Sequence, residues 1–385
     1  NMTITLSDDV KALDEVVVVG YGTVKKADLA GSVSVLDNKA FKDQPITRVD
    51  DALQGRIAGV HVVNSGIPGG EMKIRIRGAG SINRSNDPLY VVDGIVRESG
   101  LTGLDPEDIQ SIQVLKDASA TAIYGSRGSN GVVLVTTKSG KANMKQVSFD
   151  AQFGFSNIAK RYPLLNAYEF ATAYNEAHPG TFGQADLTAF QNGEKGTDWQ
   201  RAISQTGFTQ NYKVTLTNGN RDTQYYLSGN YLSQTGTVLS TKNERYQAKL
   251  NLTSNITPWL TITADVNASH NVRNMVNFSA AKTNILWLAL NYSPVTNVMD
   301  NAGNYSHDFY NAITADNPVG SLKLNSGQSR QDIFNGRIDL RFNLLPGLTF
   351  TITRARPTGW GSPSASCWIA TKTTPRNPLP LQSPR

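Results

Sequence analysis

The sequence of 385 residues predicts a mixed α/β domain followed by the N-terminal part of an antiparallel transmembrane β-barrel, which is incomplete. Residues 40–142 mix short helical and strand patterns, as compact α/β units do. From residue 146 onward apolar and polar side chains alternate, which suits strands with lipid on one side and water on the other. The connections between these strands are alternately short and longer, as in outer-membrane barrels, whereas a soluble sandwich has no reason to keep such parity.

Local patterns place the elements of the α/β domain. Lys73–Arg77 and Tyr90–Val92 are predicted strands, and the second ends at an Asp-Gly turn. Pro106 begins a helix with acidic residues in its first turn, and Ala118–Tyr124 is predicted as a helix that Gly125 stops. The expected core contains eleven apolar residues: Leu53, Ile57, Val60, Ile74, Ile76, Val91, Ile112, Val114, Ile123, Val133 and Val135.

The alternating region contains six complete strands and part of a seventh, which begins at Leu348 and loses its pattern at Arg354. Irregular segments of about 50 residues are expected at 157–206 and 271–329, and a medium loop at 233–243. Tight turns are expected at 218–222, 255–259 and 345–347. About 22 strands enclose a domain of this size in plugged barrels. We therefore expect a truncated chain with a partial wall, which is not functional alone.

Composition excludes several classes of function. The net charge of +6 suggests an anionic partner, but residues 354–385 hold five basic and no acidic side chains. The remainder has 32 basic against 31 acidic residues, so a nucleic-acid partner is not expected. The single cysteine, Cys367, excludes a disulfide framework. Residues 354–385 also hold six of the 16 prolines. We expect this segment to be disordered, and either out of frame or foreign to the rest of the protein.

No catalytic, metal or cofactor site is predicted. The four histidines are scattered, with no pair at the spacing of metal ligands. Gly20-Tyr21-Gly22 follows a valine run, but Lys25 stands where a dinucleotide-binding motif needs its third glycine. Asp105, Glu107 and Asp108 are explained by the preference of helix N-termini for acids. The chain is not expected to be an enzyme.

Five motifs occur in order: LDEVVVVGYG at 13–22, LQGRIAGVHV at 53–62, IRIRG at 74–78, PLYVVDGI at 88–95, and LDPEDIQSIQVLKDASATAIYGSRGSNGVVLVTTKSG at 104–140. Together they resemble the plug domain of TonB-dependent outer-membrane receptors, specifically the SusC/RagA branch that imports nutrients in Bacteroidetes. The resemblance implies motif residues at Leu53, Gly55, Arg56, Gly59, Arg75, Arg77, Gly78, Asp93, Gly94, Tyr124, Gly125, Arg127 and Gly128. Two interpretations stay open for Arg75, Arg77, Arg84 and Arg127, namely ion pairs with acids of the barrel wall or solvated surface charge.

The resemblance also implies a function and partners. A receptor of this family lies in the outer membrane among its lipids, binds an oligosaccharide or peptide, and is capped by a SusD-like lipoprotein. The energy transducer TonB would bind the candidate TonB box, which consists of Glu15, Val16, Val17, Val18 and Val19. The alternative is a soluble or surface-exposed β-rich binding protein such as an adhesin, which predicts neither plug motifs nor loop parity.

The resemblance implies five segments. Residues 1–12 are the end of a carboxypeptidase-regulatory-like domain or a linker, and 13–39 hold the TonB box and a linker. Residues 40–142 are the plug, 146–353 the partial barrel and 354–385 the aberrant tail. Because an exported protein needs a signal peptide and none is visible, we expect the N-terminus to be incomplete.

Overall fold

The computed structural model describes residues 16–19, 22–25, 33–41, 44–70, 72–78, 85–276, 278, 284–310, 316–324, 327–345, 347–359 and 367–373. Within these residues, no helix has the length and apolar character needed to cross a membrane. The predicted segment 1–12, Glu15 and Arg84 lie outside them.

The α/β domain is built around a five-stranded sheet in the order β3-β8-β9-β6-β7, in which β6 and β9 are parallel. A hairpin of β4 and β5 packs beside it, and β1 pairs with β2 in a separate hairpin. The strands are β1 (Val16–Val19), β2 (Gly22–Lys25), β3 (Val33–Asp37), β4 (Val60–Asn64), β5 (Met72–Ile76), β6 (Leu89–Val92), β7 (Ile95–Arg97), β8 (Ile109–Leu115) and β9 (Val132–Thr137). Short 3-10 turns span Asn38–Ala40, Asp50–Leu53, Pro106–Asp108 and Ala122–Gly128, and helix α1 spans Ala118–Thr121.

The core of this domain lies on both faces of the sheet, because four apolar residues of β8 and four of β9 are buried. Nine of the eleven predicted core residues are buried, and Val60 is half-buried against them. The prediction for Ile123 is wrong, since its side chain is 51% exposed. The predicted helix ends at Thr121 and continues as a 3-10 turn with a kink at Gly125, so Ile123 no longer follows the helical face.

The second part is an antiparallel sheet of eight strands in sequence order. On its outer face, side chains such as Val147, Phe149 and Phe155 are exposed, while polar side chains such as Asn211 and Lys213 are buried against the α/β domain. Adjacent strands are joined by tight turns at 220–222, 258–259 and 346–347 at one end of the sheet, and by longer segments at the other. The strands are β10 (Met144–Ser156), β11 (Gly207–Gly219), β12 (Thr223–Thr235), β13 (Lys242–Thr257), β14 (Leu260–Met275), β15 (Gly327–Leu345), β16 (Leu348–Gly359) and β17 (Cys367–Thr373).

The expected disorder from about residue 354 is wrong for 354–359 and 367–373. Strand β16 continues to Gly359 because β15 offers paired backbone as far as Ile333, and β17 pairs with β16 from Thr349 to Ala355. Pro357 lies beyond that pairing, on a part of β16 with a single neighbouring strand, where proline is tolerated. Residues 360–366 and 374–385 lie outside the described part of the chain.

The long connections, expected to be irregular, contain helices. These are α2 (Ala167–Ala177), α3 (Gln184–Gln191), α4 (Trp199–Ala202), α5 (Ile285–Asn291) and α6 (Pro318–Leu324). The sequence carried a signal for α2, because Asn166 and Glu169 form a capping box. Trp199 packs on Tyr292 with ring centroids 4.6 Å apart, which joins the two long connections. Both connections therefore form one structured layer above the sheet.

Gly140 marks a close crossing between the two parts. A Cβ atom there would lie 2.4 Å from the backbone nitrogen of Tyr225 on β12. We expect Gly140→Val in the full-length protein to lower the free energy of unfolding by about 3 kcal/mol, because the clash is with backbone. Guanidinium titration in detergent micelles measures the change. Gly154→Val is the control, since a Cβ at Gly154 meets nothing within 4 Å; equal loss in both variants would contradict the close crossing.

Candidate functional site

A buried ion cluster joins the α/β domain to the inner face of the sheet. Lys213 Nζ on β11 lies 2.9 Å from Asp105 Oδ2 and 2.7 Å from Asp108 Oδ1. The three side chains are no more than 2% exposed. Asp105 caps the 3-10 turn by accepting the backbone N–H of Glu107, and Pro106 at its start fixes the turn. This local structure aims two carboxylates at one ammonium on the sheet.

Neighbouring hydroxyl groups complete the cluster. Tyr226 Oη donates to Asp108 Oδ1 at 2.8 Å, and Ser228 Oγ donates to the same carboxylate at 2.9 Å. Burial alone would raise the pKa of the Asp105 carboxyl, but the Lys213 ammonium outweighs it and holds that pKa below its usual value. Asp105 is therefore ionised at neutral pH, and the cluster is an ionic attachment between the two parts.

A second attachment surrounds the Asp-Gly turn at Asp93. Its carboxylate accepts from Thr137 Oγ1 at 2.8 Å and from the Thr137 backbone at 2.9 Å. Lys249 Nζ on β13 donates to Thr137 Oγ1 at 2.6 Å, and Arg337 on β15 donates to the Asp93 carbonyl. Burial raises the pKa of Asp93, although Lys249 opposes the effect. Gly94 has φ of +83°, a conformation that favours glycine, so the turn requires this residue.

A cavity of about 830 Å³ lies between the α/β domain and the sheet. Its sheet wall consists of residues at the long-connection ends of the strands, such as Asn243, Asn271 and Ser329. Its floor comes from the α/β domain, and the ion cluster lies nearer to the tight turns. Arg245 Nη1 donates to the Thr47 carbonyl at 3.1 Å and Arg273 Nη1 to the Gly69 carbonyl at 2.7 Å, which ties this floor to the wall. The cavity thus lies at the long-connection ends of the strands.

Most of the predicted motif residues pack, form hydrogen bonds or shape turns within the α/β domain. Leu53 is fully buried, Tyr124 packs against the smaller core cluster, and Arg56 Nη1 donates to the Ala52 carbonyl at 2.8 Å. A Cβ at Gly128 would lie 3.0 Å from the Thr121 carbonyl oxygen. Turns that need positive φ occur at Gly55, Gly59, Gly78, Gly94 and Gly125.

Arg75, Arg77 and Arg127, for which two interpretations were open, lie close to acids of the α/β domain. Arg75 pairs with Asp87 at 3.1 Å, Arg77 with Asp117, and Arg127 lies 4.0 Å from Glu98. Within the described residues none of these three arginines forms an ion pair with the sheet, and both interpretations remain predictions for the complete barrel. Arg127 alone among the predicted motif residues lines the cavity.

The residues that connect the two parts were not predicted as a site. Asp105 and Asp108 were explained as helix N-terminal charge, and Asp105 does cap its turn. Both carboxylates also bind Lys213, whose only signal in the sequence is a lysine on the polar face of a strand. Arg245 and Arg337 were missed for the same reason, since alternation does not show which domain a polar face meets.

Comparisons with known proteins identify both parts. The family model for the TonB-dependent receptor plug domain matches residues 25–132. The chain is 35% identical over 379 residues to the TonB-dependent receptor SusC of Bacteroides thetaiotaomicron, covering 90% of the chain and 37% of SusC. It is 35% identical over 362 residues to the TonB-dependent receptor P3 of Formosa agariphila, covering 92% of the chain and 35% of that protein.

Among solved structures, the RagAB peptide importer in its open-open state superposes with a TM-score of 0.72 at 27% identity, covering 89% of this chain and 43% of that one. A plug bonded to an antiparallel sheet with an exposed apolar face defines a TonB-dependent receptor. The chain belongs to the SusC/RagA family of these receptors, which lie in the outer membrane. It spans about a third of the length of the curated relatives it matches.

Proposed function

We propose that the protein to which this chain belongs imports a nutrient across the outer membrane, and that the nutrient binds in the cavity above the plug. The observation that carries the proposal is the position of the cavity. It lies at the long-connection ends of the strands, while the Lys213 cluster joins the plug to the sheet nearer to the tight turns. In outer-membrane barrels the longer loops face outward, so the cavity faces the medium.

TonB supplies the energy through the segment Glu15–Val19 in this proposal. Residues Val16–Val19 form an extended strand that pairs only with Gly22–Lys25 within the described residues. A short strand of this kind can add to the sheet of another protein. Glu15 lies outside the described residues.

A SusD-like lipoprotein covers the layer of long connections in this proposal, and the cargo is an oligosaccharide or a peptide. The layer exposes large apolar side chains, among them Phe309 at 85%. Such side chains suit a protein partner. The alternative of a soluble or surface-exposed binding protein is not favoured, because such a protein does not need a plug domain bonded to the inner face of its sheet.

Growth tests the proposal. A strain that lacks the gene is compared with the parent on a panel of oligosaccharides and peptides, each as sole carbon source. We expect growth on at least one of them to require the full-length gene, because outer-membrane diffusion does not admit large oligomers. Unchanged growth and uptake on the whole panel, together with binding by the purified protein, would favour a surface-exposed binding protein instead.

A further inference from the structure

The cavity above the plug carries an excess of positive charge. Seven cationic side chains line it against three carboxylates. Each carboxylate lies within 4.0 Å of an arginine: Asp50 and Arg48, Asp87 and Arg75, Glu98 and Arg127. Within the described ranges, no ion pair involves the other five cations, Lys73, Arg97, Arg245, Arg273 and Arg330.

Two of these cations are buried and incompletely bonded. Arg97 is 5% exposed and Arg245 is 7% exposed. Arg97 donates to the Thr102 carbonyl at 3.2 Å and Arg245 to the Thr47 carbonyl, yet the Nε atom of each has no partner in the described part of the chain. Burying an arginine beside carbonyl groups rather than carboxylates is costly, and the cost is recovered when an anion binds.

Nearby acids do not remove this excess. The carboxylates of Asp105 and Asp108 act on Arg245 at longer range, but both already bond to Lys213. Asp93 acts on Arg97 at longer range, and its carboxylate already accepts two hydrogen bonds from Thr137. Two further buried polar atoms of the lining, Asn243 Oδ1 and Ser269 Oγ, also lack a partner among the described residues. The cavity thus presents buried cationic donors together with a neutral amide and a hydroxyl.

We propose that the cavity binds the acidic groups of an anionic oligosaccharide, with Arg97 and Arg245 as the central donors. This inference rests on the proposed function and specifies its cargo. Carboxylate or sulfate oxygens accept from guanidinium groups in charge-assisted hydrogen bonds. The amide and hydroxyl side chains of the lining, such as Asn271 and Gln331, both donate and accept, as sugar hydroxyls require. A peptide would favour apolar pockets for its side chains, and the lining is mainly polar.

Calorimetry on the purified full-length protein in detergent tests the inference with two matched probes, tetragalacturonate and maltotetraose. We expect tetragalacturonate to bind more tightly, and increasingly so as salt is lowered. The double variant Arg97→Gln and Arg245→Gln should weaken tetragalacturonate binding by about 10- to 100-fold, because two charge-assisted hydrogen bonds are lost, and should weaken maltotetraose binding much less. Replacing both residues by lysine should restore part of the preference.

Arg221→Gln is the control, since Arg221 is exposed in the tight turn at the opposite end of the sheet. A sulfated tetrasaccharide tests whether sulfate is accepted as well as carboxylate, and binding of either acidic sugar supports an anionic sugar as cargo. Equal affinity for both matched probes, failure of both acidic sugars to bind, or tighter binding of tetraglutamate would each overturn the inference. If growth on a neutral oligosaccharide requires the gene and no acidic sugar binds, the anionic cargo is refuted and the proposed import is not. If acidic sugars bind but no uptake depends on the gene, the proposed import is refuted and the anionic ligand is not.

Discussion

Lys213→Met is expected to destabilise the full-length protein by about 3–5 kcal/mol, because removing one partner of a buried ion cluster leaves the others charged and unpaired. Asp108 would keep only the hydroxyl donors of Tyr226 and Ser228, and Asp105 only the backbone N–H of Glu107. Guanidinium titration in detergent measures the loss, and limited proteolysis shows whether the plug is released from the sheet.

The control is a triple variant that adds Asp105→Asn and Asp108→Asn to Lys213→Met. Neutral amides in the same place remove the unpaired charge, so most of the lost stability should return. A triple variant less stable than the single variant would mean that the carboxylates, rather than the ion pairing, carry the attachment.

The same ion cluster makes the stability of the folded protein sensitive to acid. Because the folded-state pKa of Asp105 lies below its ordinary value, its contribution to stability is complete above the unfolded carboxyl pKa of about 3.9 and is lost as pH falls through the lower folded value. Wild-type stability should therefore fall more steeply than that of Asp105→Asn below about pH 4. Parallel curves for the two proteins in guanidinium titrations at pH 3 to 5 would contradict the ion pair.

The strand patterns were predictable because they are local. Alternation fixes which face of each strand is apolar, and tight turns fix antiparallel pairing, so the two faces of the strands between Val147 and Leu344 could be predicted. The plug core was predictable for a similar reason, since apolar strands flanked by turns have one way to be buried. The failure at Ile123 is also local, because helix propensity does not show where an α-helix tightens into a 3-10 turn.

The candidate site was not predictable because its contacts join distant parts of the chain. Lys213 meets carboxylates more than 100 residues earlier, and Arg245 meets a carbonyl 198 residues earlier. A periodic pattern says that these side chains face inward but not what they face. The end of β16 and strand β17 were missed because backbone pairing, of β16 with β15 and of β17 with β16, forms them rather than side-chain alternation.

Deleting Glu15–Val19 from the full-length protein is expected to abolish uptake and leave substrate affinity unchanged. The described strand Val16–Val19 pairs with Gly22–Lys25, whereas the cavity is lined by residues such as Arg97 and Arg245. Binding and energy coupling therefore depend on different parts of the chain. Uptake of a labelled cargo by cells and calorimetry on the purified protein measure the two quantities separately.

Substitutions in the same segment test the mechanism of coupling. Val17→Pro with Val19→Pro should abolish uptake as the deletion does, because proline removes the backbone donors that a strand adds to a partner sheet. Val17→Thr with Val19→Thr is the matched control, since threonine keeps the branched side chain and the extended preference. Uptake by the proline variant would mean that TonB does not engage this strand through its backbone, and uptake by the deletion would move the TonB box elsewhere. Loss of binding in either variant would show instead that the segment supports the plug, and the separation between the strand and the cavity would then be wrong.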